Sequence, residues 1–152
     1  MNMRKTDQIK IITMIILLMV VQSISAQEKK ESVSPRENQF TIENCVNQFT
    51  MDKATKTKTG YRYWFADEDF IDGRTLKMSV VKPNQATHAP HKHEVDEFFF
   101  VLEGKAKFYL DGKTKVVGPY TSLYCPPNVE HGISNAGDTE LKYLVIKKYP
   151  KS

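Results

Sequence analysis

The chain has 152 residues, a formal net charge of +4 and 40% hydrophobic residues, enough for one domain with its own core. Its lysines scatter without forming a basic stripe, which argues against a nucleic-acid partner. Much of the excess charge sits in a terminal segment that the sequence marks for removal.

That segment, Met1 to Ala26, has the three parts of a secretory signal. Arg4, Lys5 and Lys10 give a basic start, Ile11 to Val21 an apolar middle, and Ser23, Ser25 and Ala26 small residues at a cleavage point. Arg4, Lys5 and Lys10 against Asp7 carry +2 of the formal charge, leaving about +2 on the remainder. The apolar run is shorter than the roughly 20 residues that span a bilayer, so cleavage is expected rather than a retained anchor. The expected location is therefore secreted or periplasmic. Residues 27–39 are polar and interrupted by Pro35, a flexible lead-in to a domain expected over 40–152.

From Phe40 the texture changes to short apolar runs between turn residues. Phe40 to Phe49 fits either a short helix or an edge strand, and Lys53 to Thr59 a solvated loop. Tyr61 to Phe65 is an aromatic, alternating strand. Leu76, Met78 and Val80 alternate with Lys77, Ser79 and Val81, predicting a strand with one face buried. Phe98 to Leu102 is a continuous apolar strand that ends at Glu103-Gly104. Lys105 to Leu110 alternates again, and Asp111-Gly112 predicts a tight hairpin. Val116-Val117, Leu123 to Cys125, Gly132-Ile133 and Leu141 to Ile146 complete the series. Many short strands at regular spacing predict an all-β protein, closed or built of two sheets. Cys45 and Cys125 leave pairing open; Cys125, in a strand, also reads as a small buried apolar residue.

All four histidines, His88, His91, His93 and His131, fall within one window of 44 residues. Residues two apart on a strand share a face, so His91 and His93 present two imidazoles together while Lys92 points away. Glu97 follows a short acidic turn and opens the apolar strand, where its carboxylate lies across from the histidines. Phe99 and Val101 share its face and floor the space. His131 arrives from a later segment after Pro126-Pro127-Asn128. Three imidazoles and a carboxylate suit one divalent first-row metal, zinc, nickel, manganese or iron. His88, three residues before His91, falls outside this set and is a candidate pocket residue. Arg62 and Tyr124 are further candidates for catalytic roles, and Tyr61 and Tyr63 for the pocket wall.

The spacing His91-Lys92-His93, Glu97, Gly104, followed by Pro126-Pro127-Asn128, His131 and Asn135, resembles the two motifs of the cupin superfamily over about residues 74–148. Gln85, Tyr120 and Asn128 stand where those motifs usually carry glycine, and the turn at Tyr120 is expected to be longer; no ligand position is lost. The resemblance implies a single-domain jelly-roll barrel of two sheets, with His91, His93, Glu97 and His131 around the metal and a small molecule as partner. In size and motif the chain is similar to small cupins that linearise unsaturated uronates by metal-assisted proton transfer. It is also similar to quercetinase-like iron dioxygenases and to oxalate-binding cupins without activity. A homodimer is expected, with Phe40 to Phe49 covering an edge strand.

Overall fold

The computed structural model describes residues 40–149, so the expected signal and lead-in lie outside the described residues. The chain divides into two units, Met1–Cys45 and Val46–Ser152. In the first, the described residues form one short helix, α1 (Ile42–Cys45), whose start is held by Asn44 and Thr41 bonding to each other's backbone N–H. The helical alternative for Phe40 to Phe49 is thus the one adopted, over Ile42–Cys45 only.

In the second unit the described residues form a 3₁₀ turn (Met51–Lys53) and nine strands: β1 (Thr55–Thr57), β2 (Gly60–Ala66), β3 (Arg74–Val81), β4 (Glu97–Glu103), β5 (Ala106–Leu110), β6 (Lys113–Val117), β7 (Ser122–Cys125), β8 (His131–Asn135) and β9 (Leu141–Lys148). They form two antiparallel sheets, one ordered β1-β2-β3-β9-β4-β7 and the other β6-β5-β8. Isolated pairings of Ala86 with Ser134 and His91 with His131 lay residues 86–91 along the free edge of β8. The result is the all-β, double-sheet barrel that the strand spacing predicts. Asp111 and Gly112 both have positive φ (46° and 76°) and join β5 to β6 in the expected hairpin. The stretch Lys53 to Thr59 departs from expectation. Its β-branched Thr55 and Thr57 pair with Arg62 and Gly60, so a segment polar enough to read as a loop is an edge strand.

The core fills the space between the sheets. Val81, Phe99, Val101, Leu141, Tyr143 and Val145 from the larger sheet meet Ala106, Phe108 and Ile133 from the smaller. Each fully buried residue of this size stabilises the barrel by about 1.5–3 kcal/mol. A second cluster lies on the opposite face of the larger sheet, where Tyr63, Met78 and Val80 pack with Phe49, Ala54, Tyr61 and Phe65. Strand β3 is therefore buried on both faces. Met78 and Val80 face away from the barrel interior, and the alternating Lys77 and Ser79 face into it, correcting the expectation of one buried, apolar face. Asn135 ties the layers together. Its side-chain amide donates to the carbonyls of Val81 (2.9 Å) and Thr139 (2.7 Å), and its Oδ1 accepts from the Gly137 N–H.

Asn128 and Tyr120 both hold left-handed backbone, φ 61° and 60°. Tyr120 itself takes the conformation usually left to glycine, and its N–H bonds the Val101 carbonyl at 2.8 Å. Its side chain is 83% exposed and contributes little burial. Tyr120→Gly should therefore raise stability by about 0.5–1 kcal/mol, by removing the strain of a left-handed non-glycine residue. Chemical denaturation checks this, and a loss of stability would mean the ring is packed.

Candidate metal centre

Three separate segments build the cluster. His91 and His131 exchange backbone bonds, His91 N–H to His131 O at 3.0 Å and His131 N–H to His91 O at 2.9 Å. Residues paired this way point to one side, and their rings lie 5.0 Å apart, centroid to centroid. The Asn128 N–H bonds the His93 carbonyl at 2.8 Å, fastening the second histidine to the turn before β8. Glu97, 5% exposed, opens β4 at the buried end of the cluster.

The rings are oriented by the chain's own carbonyls. His93 Nδ1 lies 2.6 Å from Val95 O, His131 Nδ1 2.8 Å from Val129 O, and His91 Nδ1 3.4 Å from Ala89 O. A carbonyl only accepts, so these bonds assign the proton to Nδ1 and leave the Nε2 lone pair free. His131 Nε2 then faces Glu97 Oε1 at 3.1 Å, and His93 Nε2 faces Glu97 Oε2 at 3.4 Å. His93 Nε2 is buried with no hydrogen-bond partner. Lone pairs of nitrogen and carboxylate oxygen facing one another call for a cation between them. One ligand atom from each of His91, His93, Glu97 and His131 lies within 4.8 Å of the other three. The residues present fit a divalent metal, with three borderline nitrogen donors and one oxygen. Burial, and secondarily the neighbouring His88, hold the His91 imidazole below its ordinary pKa and so favour the neutral form a metal takes.

A cavity of about 240 Å³ adjoins the cluster, with His91 and Glu97 in its wall. Phe99 forms part of that wall, as its shared face with Glu97 predicts, while Val101 lies wholly in the core. His88 also lines the cavity, its ring centroid 4.5 Å from that of His91. Residues 87–90 are irregular and include Pro90, so strand parity does not govern His88. It stays outside the set of four donors. Arg62 reaches the cavity, as does Tyr61. Tyr63 does not; it is packed in the outer cluster with its hydroxyl donating to Gln48 O at 2.8 Å. Tyr124 is corrected as a catalytic candidate. On β7 it alternates with the inward Cys125, so it lies outside, 45% exposed and against Phe98 at 4.9 Å.

Sequence reasoning passed over Lys77, Ser79, Tyr143 and Lys147, which line the same cavity. Burial first, with Arg62 and Lys147 adding to it against the pull of Glu97, holds the Lys77 ammonium below its ordinary pKa. Burial pushes the Tyr143 hydroxyl up. The signal was present in the polar members of β3, whose inward direction follows once Glu97 fixes which face of the larger sheet is interior.

Both cysteines are free, Cys45 exposed and Cys125 buried. Burial, reinforced by the Glu97 charge, pushes the Cys125 thiol up to about 12. Cys125 should therefore stay protonated and inert at pH 8 in the folded protein. A thiol reagent should modify Cys45 at once and Cys125 only on unfolding; two fast thiols would show that Cys125 is accessible.

Fold and site together define a small metal-suited barrel with an internal cavity. Residues 77–147 match the family described as the Cupin domain, so the barrel from β3 to β9 is a cupin domain. It is 29% identical over 89 residues to the mannose-1-phosphate guanylyltransferase of Escherichia coli, covering 57% of this chain. It spans only 19% of that enzyme's length. Among solved structures, the polyketide cyclase RemF of Streptomyces resistomycificus has a TM-score of 0.58 at 24% identity, over 68% of this chain and 79% of that one. A predicted oxalate decarboxylase from Thermotoga maritima has a TM-score of 0.55 at 19% identity, over 59% and 80%. These two likenesses establish the fold. Among the described residues, no helix is long and apolar enough to cross a membrane.

Proposed function

We propose that the chain is a divalent-metal cupin that acts on a small carbonyl or sugar-derived molecule, by proton transfer at a metal-polarised oxygen. The observation that carries this reading is the arrangement of three imidazoles, each with Nδ1 facing a backbone carbonyl, converging with Glu97 on the wall of a polar cavity. His91, His93, Glu97 and His131 would hold zinc, nickel, manganese or ferrous iron. When bound, the metal supplies Lewis-acid polarisation of a substrate oxygen. His88, beside His91 and open to solvent, would carry a proton between the cavity and water. Phe99 and Tyr143 close the inner wall against water. The matched stretch in an enzyme named for mannose 1-phosphate supports a sugar-derived ligand.

The test is metal analysis of purified protein, followed by turnover screening on uronates, sugars and small carbonyl compounds with and without oxygen. Oxygen-independent turnover that stops on chelation supports the proposal. Turnover that consumes oxygen would replace it with the dioxygenase reading, for which the same donors serve iron. Tight ligand binding without turnover would make the chain a binding barrel. We further propose export with cleavage after Ala26; an intact Met1 in the mass of the exported protein would refute it.

A further inference from the structure

The cavity beside the metal cluster has a second chemical end. Strands β2, β3 and β9 lie side by side, and each sends one cation to the cavity wall: Arg62, Lys77 and Lys147. Against these three stands one carboxylate on the wall, Glu97, which is turned to His93 and His131. Glu97 and Lys147 are register partners on neighbouring strands, yet the carboxylate does not take up the ammonium. Among the described residues, no carboxylate lies within salt-bridge distance of Arg62, Lys77 or Lys147. What Lys77 and Lys147 do contact are ring faces, Trp64 at 5.1 Å and Tyr149 at 5.2 Å. Thr57, on the same wall, has a buried hydroxyl without a hydrogen-bond partner.

Lys77 and Lys147 are partly buried and Arg62 stands at the exposed rim; partly buried cations without counter-ions are costly in a folded protein, and an unpaired buried hydroxyl adds to that cost. Such a set is stabilised by an anion with several acceptor oxygens. We infer that Arg62, Lys77, Lys147 and Thr57 form an oxyanion subsite, which holds a carboxylate or phosphate group of the ligand while a second ligand oxygen faces the metal cluster. This rests on the proposed function for the second oxygen, but the anion end stands on the chain's own cations. It narrows the substrate class to small bifunctional molecules with an acidic group at one end. Neutral sugars would lack the group that neutralises this wall.

Calorimetry at pH 8 on the metal-loaded mature chain, with D-glucuronate, inorganic phosphate and glucose as probes, tests the subsite. Glucuronate, phosphate or both should bind measurably tighter than glucose, and which anion binds better distinguishes the two sources of charge. Lys77→Met and Lys147→Met should each weaken anion binding at least ten-fold, with metal content unchanged. Lys115→Gln, on the exposed strand β6, should leave it as in wild type. Arg62→Gln, at the exposed rim, gives a second reading if Lys77→Met fails to fold. The same ranking of variants should hold after the metal is stripped. Anion binding that vanishes on stripping, or that ignores the lysines, would show the metal alone held the anion and would overturn the subsite. Lysine-dependent anion binding in a protein that takes up no metal would retain the subsite and remove the metal reading.

Discussion

Replacing His93 with alanine should abolish stoichiometric binding of a divalent metal. His93 contributes a buried Nε2 with no protein hydrogen-bond partner, and its ring is aimed by the bond from Nδ1 to Val95 O. Loss of an outer-shell partner typically weakens a metal site by roughly 10–100-fold, and loss of a ligand should exceed that. The consequence extends to stability. The donors come from the segment before β4, from β4 itself and from β8, so metal ties three parts of the barrel together. At a hundredfold excess over Kd, metal should add about 2.7 kcal/mol to the wild type, a rise of roughly 10 °C in melting temperature. The rise should vanish in His93→Ala and persist in His88→Ala, because His88 lies outside the four donors. Metal analysis and thermal melts with and without chelator check both statements. Full metal content in His93→Ala would remove His93 from the site, and wild-type protein that took up none of zinc, nickel, manganese or ferrous iron would end the metal reading.

Gly104→Ala should destabilise the barrel by about 3 kcal/mol or more, among the largest effects of a single methyl group here. Gly104 ends the first motif and follows β4 with φ +86°, a left-handed conformation that costs other residues about 1–2 kcal/mol. A Cβ there would lie 2.5 Å from the Glu140 carbonyl oxygen and 3.0 Å from Leu141 Cα. Both are backbone atoms at the entrance to β9, so the clash is relieved only by moving the central strand of the larger sheet. Gly112→Ala provides the comparison. Its φ is +76°, but no atom lies within 4 Å of the added carbon, so only the conformational cost of about 1 kcal/mol should appear. Equal losses in urea denaturation would mean that the approach of Glu140 is not tight in solution.

The order of short apolar runs and turn pairs was sufficient to read an all-β barrel, because period-two alternation and Asp111-Gly112 report local geometry directly. The cluster suited to a metal was also legible. His91 and His93 share a face by spacing alone, and Glu97 and His131 stand at motif positions where the residue type and the neighbouring turn agree. The left-handed backbone at Asn128 and Tyr120 falls where glycine was expected.

Other features depended on the tertiary structure. Alternation says which residues of β3 share a face, but not which face is interior, and β3 is covered on both sides. Residues 49–65 supply the apolar cover over Met78 and Val80, leaving Lys77 and Ser79 to face the cavity. That one choice of phase turns an apparently solvated lysine into part of the cavity wall. Tyr124 fell outside for the same reason, since Cys125 took the inward position opposite Glu97. Thr55 to Thr57 became a strand only because β2 offered an unpaired edge. The sequence by itself determined the strands from β2 to β9, most of their turns and the four candidate donors, all of which depend on spacing along the chain. The cavity, its three unpaired cations and the position of His88 arose only when distant strands met, because sheet pairing and the packing of a second layer decide which polar side chains are turned inward.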